Sequence, residues 1–155
     1  MTIRKAIRSD AEQIHTLLCD IARLHAEGNP DVFEAKTAKY NVSDVEKMID
    51  GGENAVIVAA EGEKVLGYLI CKVYETKADG LLRYRRVLYI DDLCVDGKSR
   101  ASGVGRALFE ASKKVAHDEN CTVIDLNVWA FNKGAIAFYE KMGMTESRRR
   151  MELKL

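Results

Sequence analysis

The chain has 155 residues, and its 24 lysines and arginines are balanced by 24 aspartates and glutamates. This length fits one domain over residues 1–155, large enough to bury about two-thirds of the surface its unfolded chain exposes. The net charge of zero favours neither nucleic-acid nor membrane partners. The sequence has no apolar run near the roughly 20 residues of a membrane span and no secretory signal, so we expect a cytoplasmic protein.

The cysteines lack the spacing of a metal site or of a disulfide framework. Cys19, Cys71, Cys94 and Cys121 are far apart in the chain, and three of them lie in apolar runs. This pattern predicts reduced, mostly buried thiols of an intracellular protein. The three histidines do not have ligand spacing with any cysteine, so we expect no metal cofactor.

The N-terminal part predicts a short strand followed by two helices. Residues 3–7 are strand-like, and apolar residues then recur at the spacing of one helical face. This helix should start at a cap formed by Ser9 or Asp10 and run to about His25, before Gly28-Asn29-Pro30 ends it. Ser43-x-x-Glu46 is the pattern of a capping box at the start of a second helix.

Three strands follow in the middle of the chain. Gly51-Gly52 ends the second helix, and the next strand is predicted from Ala55 to Ala60. Glu61 to Lys64 forms a turn, which leads into a strand from Val65 to Tyr74. After a polar loop, residues 86–95 form another strand-like apolar run.

The C-terminal half alternates helices and strands. Residues 104–117 predict an amphipathic helix, and Thr122 to Trp129 is a β-rich run without alternation, which predicts a strand buried on both faces. A helix from about Lys133 to Met142 should stop at Gly143, and a last strand should cover Arg149 to Leu155. The order β-α-α-β-β-β-α-β-α-β predicts an α/β fold with one mixed sheet and helices on both faces.

The segment from Val95 to Arg106 joins a strand to a helix through glycines. Gly103 and Gly105 leave the backbone uncovered where the helix begins, so unpartnered N–H groups and the helix dipole can hold a phosphate or pyrophosphate. The alternative is that these glycines form an ordinary strand-to-helix turn without a ligand. The dinucleotide pattern Gly-x-Gly-x-x-Gly is absent because Arg106-Ala107-Leu108 follows Gly105, and Asp92 stands where a nucleotide-hydrolase loop needs glycine.

Two carboxylates, Asp91 and Asp92, lie inside the apolar strand that precedes this loop. Buried carboxylates are unfavourable unless they are paired, hydrogen-bonded or functional. Because side chains alternate, we expect Asp91 to share a face with Tyr89, Leu93 and Val95, and the two carboxylates to lie close together only if a bulge intervenes. We interpret Asp92 as hydrogen-bonded to a neighbouring loop, and Asp91 as a carboxylate tuned to act as a base.

Asn132 and Tyr139 mark the last predicted helix. Asn132 suits an N-cap, and Tyr139 follows it by seven residues, two turns along the same face. Taken alone, Tyr139 fits an amphipathic core position. Together with a phosphate-binding helix start and a strand carboxylate, its phenolic proton supplies the parts of a group-transfer site.

These motifs resemble those of the GNAT superfamily of acyl-CoA-dependent N-acetyltransferases, over nearly the whole chain and most strongly from Tyr89 to Met144. Arg100-x-x-Gly103-x-Gly105 is similar to the pyrophosphate loop of that family. Leu93-Cys94-Val95 is similar to the strand that pairs with the pantetheine arm where two parallel strands splay apart. The resemblance implies a cofactor site for acetyl-CoA that is completed by the residues Ala101, Ser102, Val104 and Arg106.

The resemblance also implies the roles of the remaining site residues. Asn132 matches the residue that contacts the cofactor arm, and Tyr139 matches the acid near the cofactor sulfur. Asp91 matches the acidic strand position that accepts the substrate proton, directly or through water. No covalent intermediate on the protein is needed, so we interpret Cys94 as a packing residue. Ser102 stands where a basic residue or glutamine is common, so phosphate binding would rest more on backbone amides.

The implied fold is a single mixed, mostly antiparallel twisted sheet with a splayed parallel pair at the cofactor site. The tail after Gly143 is shorter than in many members of the family, and a sheet edge left uncovered there predicts a possible homodimer.

The implied function is acetyl transfer from acetyl-CoA to a primary amine by direct attack. The acceptor side would include the residues His25, Glu27, Asp31, Phe33 and Glu34. Their carboxylates suit a cationic amine, although acidic loop residues are commonly just solvated. The candidates are a small amine, a polyamine, an aminoglycoside-like compound or a protein amino group. A non-catalytic acyl-CoA-binding module would need neither Asp91 nor Tyr139, and a scaffold without a ligand would leave the glycine loop unexplained.

Overall fold

The protein is described by a computed structural model that covers residues 1–34 and 36–155. The strands and helices, in chain order, are β1 Thr2–Lys5, α1 Ala11–Gly28, α2 Val42–Gly51, β2 Asn54–Glu61, β3 Lys64–Thr76, β4 Arg85–Val95, α3 Val104–Asp118, β5 Val123–Leu126 and α4 Lys133–Lys141. Single 3₁₀ turns precede α1 and follow β4. The predicted α/β class is confirmed, as is the element order up to the last predicted strand.

One sheet with the strand order β1-β2-β3-β4-β5 forms the centre of the fold. The first four strands pair antiparallel, and β4 pairs with β5 in parallel, so the predicted mixed, mostly antiparallel sheet is confirmed. Side chains alternate along β2: Val56 and Val58 pack with α1 and α2, whereas Ile57 packs with α3 on the opposite face. The central strands are therefore apolar on both faces, and helices cover both sides as predicted.

The starts of the first two helices agree only partly with the predicted caps. Asp10 is the N-cap residue of α1 as predicted, but its carboxylate accepts a hydrogen bond from the Ile7 N–H at 2.8 Å and pairs with Arg4, so it stabilises the preceding turn and not the helix start. The capping box of α2 is formed by Asn41 and Asp44, two residues before the predicted one. Glu46 pairs with an arginine of the turn before α1 instead. A polar pair with this spacing occurs twice here, and local sequence could not choose between them.

The C-terminal region departs most from the sequence prediction. The strand predicted from Thr122 to Trp129 is limited to β5, and it is half-buried because it lies at the edge of the described sheet. The strand predicted from Arg149 to Leu155 does not form, and residues 145–155 contain neither helix nor strand. Alternating apolar residues are compatible with a strand, but a strand also requires a neighbour that satisfies its backbone, and no described strand pairs with this segment. No helix within the described residues could span a membrane.

Candidate active site

The pairing between the parallel strands β4 and β5 ends halfway along β4. Their pairing runs from Val87 opposite Val123 to Ile90 opposite Leu126, and β5 then ends while β4 continues to Val95. Among the described residues, no strand covers this side of β4 beyond Ile90. The predicted splay is therefore present, and the backbone of Leu93, Cys94 and Val95 is available to pair with an extended ligand as an added strand would.

The glycine loop follows this exposed segment of β4. Gly103 has a φ of +87°, in the left-handed region that favours glycine, and a Cβ added there would meet no atom within 4 Å. Helix α3 begins at Val104. Its first backbone hydrogen bond runs from the Ala107 N–H to the Gly103 carbonyl, at 3.0 Å. The N–H groups of the first turn thus face an open surface.

The side chains around this helix start fit a pyrophosphate. Arg100 and Arg106 are exposed cations, whereas Val104 is buried and anchors the turn. Ser102 donates its hydroxyl hydrogen to the Ser99 carbonyl at 2.6 Å, so its side chain stabilises the loop. Backbone amides at a helix N-terminus with two flanking arginines are a suitable environment for phosphate groups.

A β-bulge in β4 places Asp91 at the splay. Ile70 of β3 lies opposite Asp92 and Cys71 lies opposite Ile90, so Asp91 is the extra residue. The bulge also shifts the alternation, because Ile90 before it and Leu93 after it both pack on the α3 side. The expectation that Asp91 shares a face with Leu93 and Val95 is therefore wrong. Its side chain contacts Tyr40 on the α1–α2 side instead.

Asp91 is held by two residues from the loop between α1 and α2. Its carboxylate accepts hydrogen bonds from the Lys39 ammonium at 2.8 Å and from the Tyr40 hydroxyl at 2.7 Å. The Asp91 side chain is only 8% exposed, and burial alone would raise its pKa. The contacts with Lys39 and Tyr40 outweigh burial and hold the pKa of Asp91 below its usual value, so the carboxylate is ionised at neutral pH.

Asp92 occupies a different electrostatic environment next to it. Burial raises the pKa of Asp92 to about 6; the Lys39 charge opposes this rise, and the Asp91 charge adds to it. The buried Tyr68 hydroxyl makes no hydrogen bond to a described residue, and its pKa is raised by burial and then by the Asp92 charge. The interpretation of Asp92 as a carboxylate satisfied by a neighbouring loop is not supported, because no loop residue donates a hydrogen bond to it among the described residues.

Tyr139 lies on α4 with its ring packed against Phe109 and Phe138, at ring centroid distances of 6.3 and 5.1 Å. Burial raises the pKa of Tyr139 well above its usual value, and the negative charge of Asp92 acts in the same direction. Its hydroxyl is therefore protonated at neutral pH and makes no hydrogen bond within the described part of the chain. The ring therefore packs in the hydrophobic core, and the hydroxyl is available as a proton donor.

Asn132 caps α4 as predicted, since its side-chain oxygen accepts a hydrogen bond from the Ala135 N–H at 3.1 Å. Cys94 is buried beside α1, with its sulfur 3.7 Å from the Leu17 carbonyl. Burial raises the pKa of Cys94 to about 12, so the thiol is protonated and suits packing rather than nucleophilic attack. Nowhere in residues 1–34 and 36–155 do three potential ligand side chains group to hold a metal.

The predicted acceptor side contains an aromatic cluster rather than a free acidic loop. His25 stacks on Phe33 at 5.0 Å between ring centroids, and Phe33 meets Trp129 edge-on at 4.9 Å. Phe131 stacks on Trp129 from the loop after β5. The carboxylates of Glu27, Asp31 and Glu34 are exposed, and the last two pair with Lys154 and Lys36, respectively.

Four neighbours of the site were missed by the sequence interpretation: Lys39, Tyr40, Trp129 and Phe131. Lys39 and Tyr40 are separated from Asp91 by 52 and 51 positions in the sequence, so no local pattern could indicate these contacts. Trp129 and Phe131 lie three residues and one residue before Asn132, and that proximity was the available signal.

Comparison with known proteins identifies relatives over most of the chain. A family model described as acetyltransferase (GNAT) family matches residues 18–144. Thialysine N-epsilon-acetyltransferase of Mus musculus is 29% identical over 161 residues, which cover 94% of this chain and 86% of that protein. N-alpha-acetyltransferase 30 of Xenopus laevis is 26% identical over 132 residues, which cover 85% of this chain and 44% of the relative. The chain thus spans less than half of the length of that relative.

A solved structure shares the complete fold. The crystal structure of a mutant BH1408 protein from Bacillus halodurans superposes with a TM-score of 0.95 at 32% identity, over 100% of this chain and 99% of the other. The match of the family model over most of the chain agrees with the splayed strands, the glycine loop and the tyrosine on α4. The chain belongs to the acetyltransferase (GNAT) family, whose members use acetyl-CoA.

Proposed function

We propose that the protein transfers the acetyl group of acetyl-CoA to a primary amine, which attacks the thioester directly. The observation that carries this proposal is the placement of Asp91 at the point where β4 and β5 separate. A ligand that lies along the exposed part of β4 passes next to this carboxylate. The glycine loop lies at one end of that segment, and Tyr139 lies close enough to Asp92 for that charge to raise its pKa.

Binding of acetyl-CoA would rest on the backbone. The amides from Arg100 to Arg106 hold the pyrophosphate, the edge of Leu93, Cys94 and Val95 pairs with the pantetheine arm, and Asn132 contacts that arm. The bound molecule supplies an acetyl group that is activated as a thioester. The residues of the protein orient this group and exclude water from it.

The side chains of the site then divide the proton transfers. Asp91 receives the acceptor's ammonium group and takes up its proton, directly or through water. The nitrogen forms a bond to the acetyl carbon, and amides of Leu93 to Val95 stabilise the oxyanion. The carbon–sulfur bond then breaks as the nitrogen releases its second proton to solvent. Tyr139 donates its phenolic proton to the departing sulfur.

Asp92 is the competing candidate for the base. Its pKa of about 6 is closer to neutral pH than that of Asp91, and this makes it the better proton acceptor of the two. The pH dependence of kcat/KM separates the assignments. A rising limb near pH 6 that disappears in Asp92→Asn but persists in Asp91→Asn would assign the base to Asp92 and leave Asp91 the role of binding the ammonium.

The acceptor we propose is a small amine or polyamine, or an aminoglycoside-like compound. The carboxylates of Asp91 and Asp92, together with the aromatic cluster of His25, Phe33 and Trp129, suit a cation. The name of the mouse relative, which refers to thialysine, supports a small amine. The name of the Xenopus relative supports the alternative of a protein N-terminal amine. A non-catalytic acyl-CoA-binding module is the remaining alternative.

The test is to incubate the protein with acetyl-CoA and a panel of acceptors while the released thiol is measured. The panel contains thialysine, polyamines, an aminoglycoside and peptides with free N-termini. Thiol release with one of the small amines, lost in Tyr139→Phe, supports the proposal. Release with peptides alone would favour the protein acceptor. Acetyl-CoA binding without release for any acceptor would contradict the proposal and favour the binding module.

A further inference from the structure

The feature that the proposed reaction does not use is the side chain of Lys39. Lys39 lies in the loop between α1 and α2, and its ammonium nitrogen is 2.8 Å from the Asp91 carboxylate and 3.4 Å from the Asp91 carbonyl. The same nitrogen lies 5.1 Å from the centre of the Tyr40 ring. The Lys39 side chain is 48% exposed, so it reaches the carboxylate from the solvent side and is not part of the core.

This position is the one that the proposed function gives to the acceptor amine. An acceptor's ammonium would have to pair with the Asp91 carboxylate. Lys39 already holds a primary ammonium at hydrogen-bond distance from Oδ2 of that carboxylate. An external amine must therefore displace Lys39 before it can react. An amine that is held beside the reacting group also has the advantage of an intramolecular reactant.

We infer that Lys39 is itself an acetyl acceptor, so that the protein can acetylate its own loop when no external amine is bound. This inference rests on the proposed function. The Lys39 ammonium gives up one proton to Asp91, which passes it to solvent, and the neutral nitrogen bonds to the acetyl carbon. The carbon–sulfur bond breaks as the nitrogen releases its second proton to solvent. The sulfur takes the proton of Tyr139, and solvent returns a proton to the phenol. The products are N-ε-acetyllysine at position 39 and free CoA.

Acetylation would also change the entrance to the site. The acetylated side chain carries no positive charge, so it cannot keep the ion pair with Asp91. Asp91 then becomes available to a cationic acceptor without competition from the chain. In the unmodified protein, by contrast, a saturating acceptor should keep Lys39 away from the carboxylate and protect it from acetylation.

Lys36 provides a matched control in the same loop. Its ammonium pairs with Glu34 at 3.0 Å, its side chain is 80% exposed, and it makes no contact with Asp91. Spontaneous chemical acetylation by acetyl-CoA should modify Lys36 at least as readily as Lys39. Acetylation by the site should favour Lys39 by more than about tenfold, because only this amine is held next to the reacting group.

The experiment incubates the full chain with radiolabelled acetyl-CoA in the absence of an acceptor and locates the label by peptide mass spectrometry. We expect label on Lys39, none there in Lys39→Arg, and unchanged label on Lys39 in Lys36→Arg. The label should be lost in Tyr139→Phe, and the labelled fraction per molecule should not depend on protein concentration. An acceptor found in the thiol-release assay should reduce labelling as its concentration rises.

Several results would overturn the inference. Equal label on Lys36 and Lys39 would indicate chemical acetylation, and so would label that persists in a Tyr139→Phe variant that no longer releases thiol with an external amine. A labelled fraction that grows with protein concentration would indicate transfer between molecules. An unlabelled Lys39 in a protein that releases thiol with an external amine would refute self-acetylation alone. Absence of both label and thiol release would refute the proposed function as well.

Discussion

At the scale of single residues, the proposed site contains three ionisable groups, and their environments shift their pKa values in different directions. The ion pair with Lys39 lowers the pKa of Asp91, burial raises that of Asp92 to about 6, and burial raises that of Tyr139 further above its usual range. At neutral pH this leaves one ionised carboxylate, one carboxylate close to its pKa and one protonated phenol. Such a separation is typical of sites that move protons.

The role of Tyr139 as an acid can be tested with a change that keeps the ring. In Tyr139→Phe the packing against Phe109 and Phe138 is preserved and only the hydroxyl is lost. We expect turnover to fall by roughly 10²–10⁴, the range for a positioned acid or base, while CoA affinity and thermal stability remain close to those of the parent. Steady-state kinetics, calorimetry and thermal unfolding on one preparation measure this. Full activity in the folded variant would leave thiolate protonation to solvent.

The two aspartates should respond to pH with opposite sign. Because the folded-state pKa of Asp92 is raised, folding is more favourable at low pH, and this advantage disappears as pH rises from about 4 to 6. Asp92→Asn should therefore increase the free energy of unfolding at pH 7 by about 3 kcal/mol, and by little at pH 4. Because the folded-state pKa of Asp91 is lowered, its contribution is present above the unfolded-state pKa and is lost as pH falls through the folded-state value.

Asp91→Asn is the matched control, and it should decrease the free energy of unfolding at pH 7 by about 1–3 kcal/mol because charged hydrogen bonds to Lys39 and Tyr40 are lost. Denaturant unfolding of both variants at pH 4 and pH 7 gives the four values needed. A destabilised Asp92→Asn at pH 7 would show that ionised Asp92 is favourably solvated in the folded protein, contrary to its raised pKa.

At the scale of elements, the loop between β4 and α3 is the part that a single side chain can block. Gly103→Asp puts a carboxylate into the open space at the helix start, where it both repels a phosphate and requires a left-handed conformation. We expect CoA binding to become undetectable by calorimetry. Gly80→Asp is the control, because Gly80 has a φ of +89° and the same open surroundings in the loop before β4. Undiminished CoA binding by Gly103→Asp would remove the phosphate-loop assignment.

The elements also show which local signals were reliable. The glycine at position 52, with a φ of +72°, ends α2 where it was predicted, and Gly143, with a φ of +91°, follows the end of α4. Asn132 caps α4 as predicted. These signals depend on backbone conformation over a few residues. The length of β5 and the fate of the C-terminal tail depend on which strands are neighbours, and both were predicted wrongly.

At the scale of the whole molecule, the sheet has two outer strands, β1 and β5. The C-terminal residues Met151, Leu153 and Leu155 are exposed and alternate with polar residues. Uncovered strand edges and apolar tails are surfaces on which a second copy can pack. We therefore retain the prediction of a homodimer, even though the short strand on which it first rested does not form.

Light scattering tests this prediction at micromolar concentrations. We expect a mass of twice the 17.3 kDa of the chain. The double variant Leu153→Lys with Leu155→Lys should shift the mass toward the monomer if the tail contributes to the contact, because two charges would be placed in an apolar interface. A single monomeric species of the parent protein across the whole concentration range would refute the homodimer.

The sequence by itself determined the α/β class, most element positions and the position of the glycine loop, and it supplied the candidate residues of the proposed site. The reason is that hydrophobic periodicity, capping residues and left-handed glycines act over a few neighbouring residues, and the motif from Arg100 to Gly105 lies on one continuous segment. Only the tertiary structure decided how Asp91 and Asp92 face their surroundings. A bulge is a property of the pairing between β3 and β4, and the contacts of Asp91 with Lys39 and Tyr40 bring together residues about 50 positions apart.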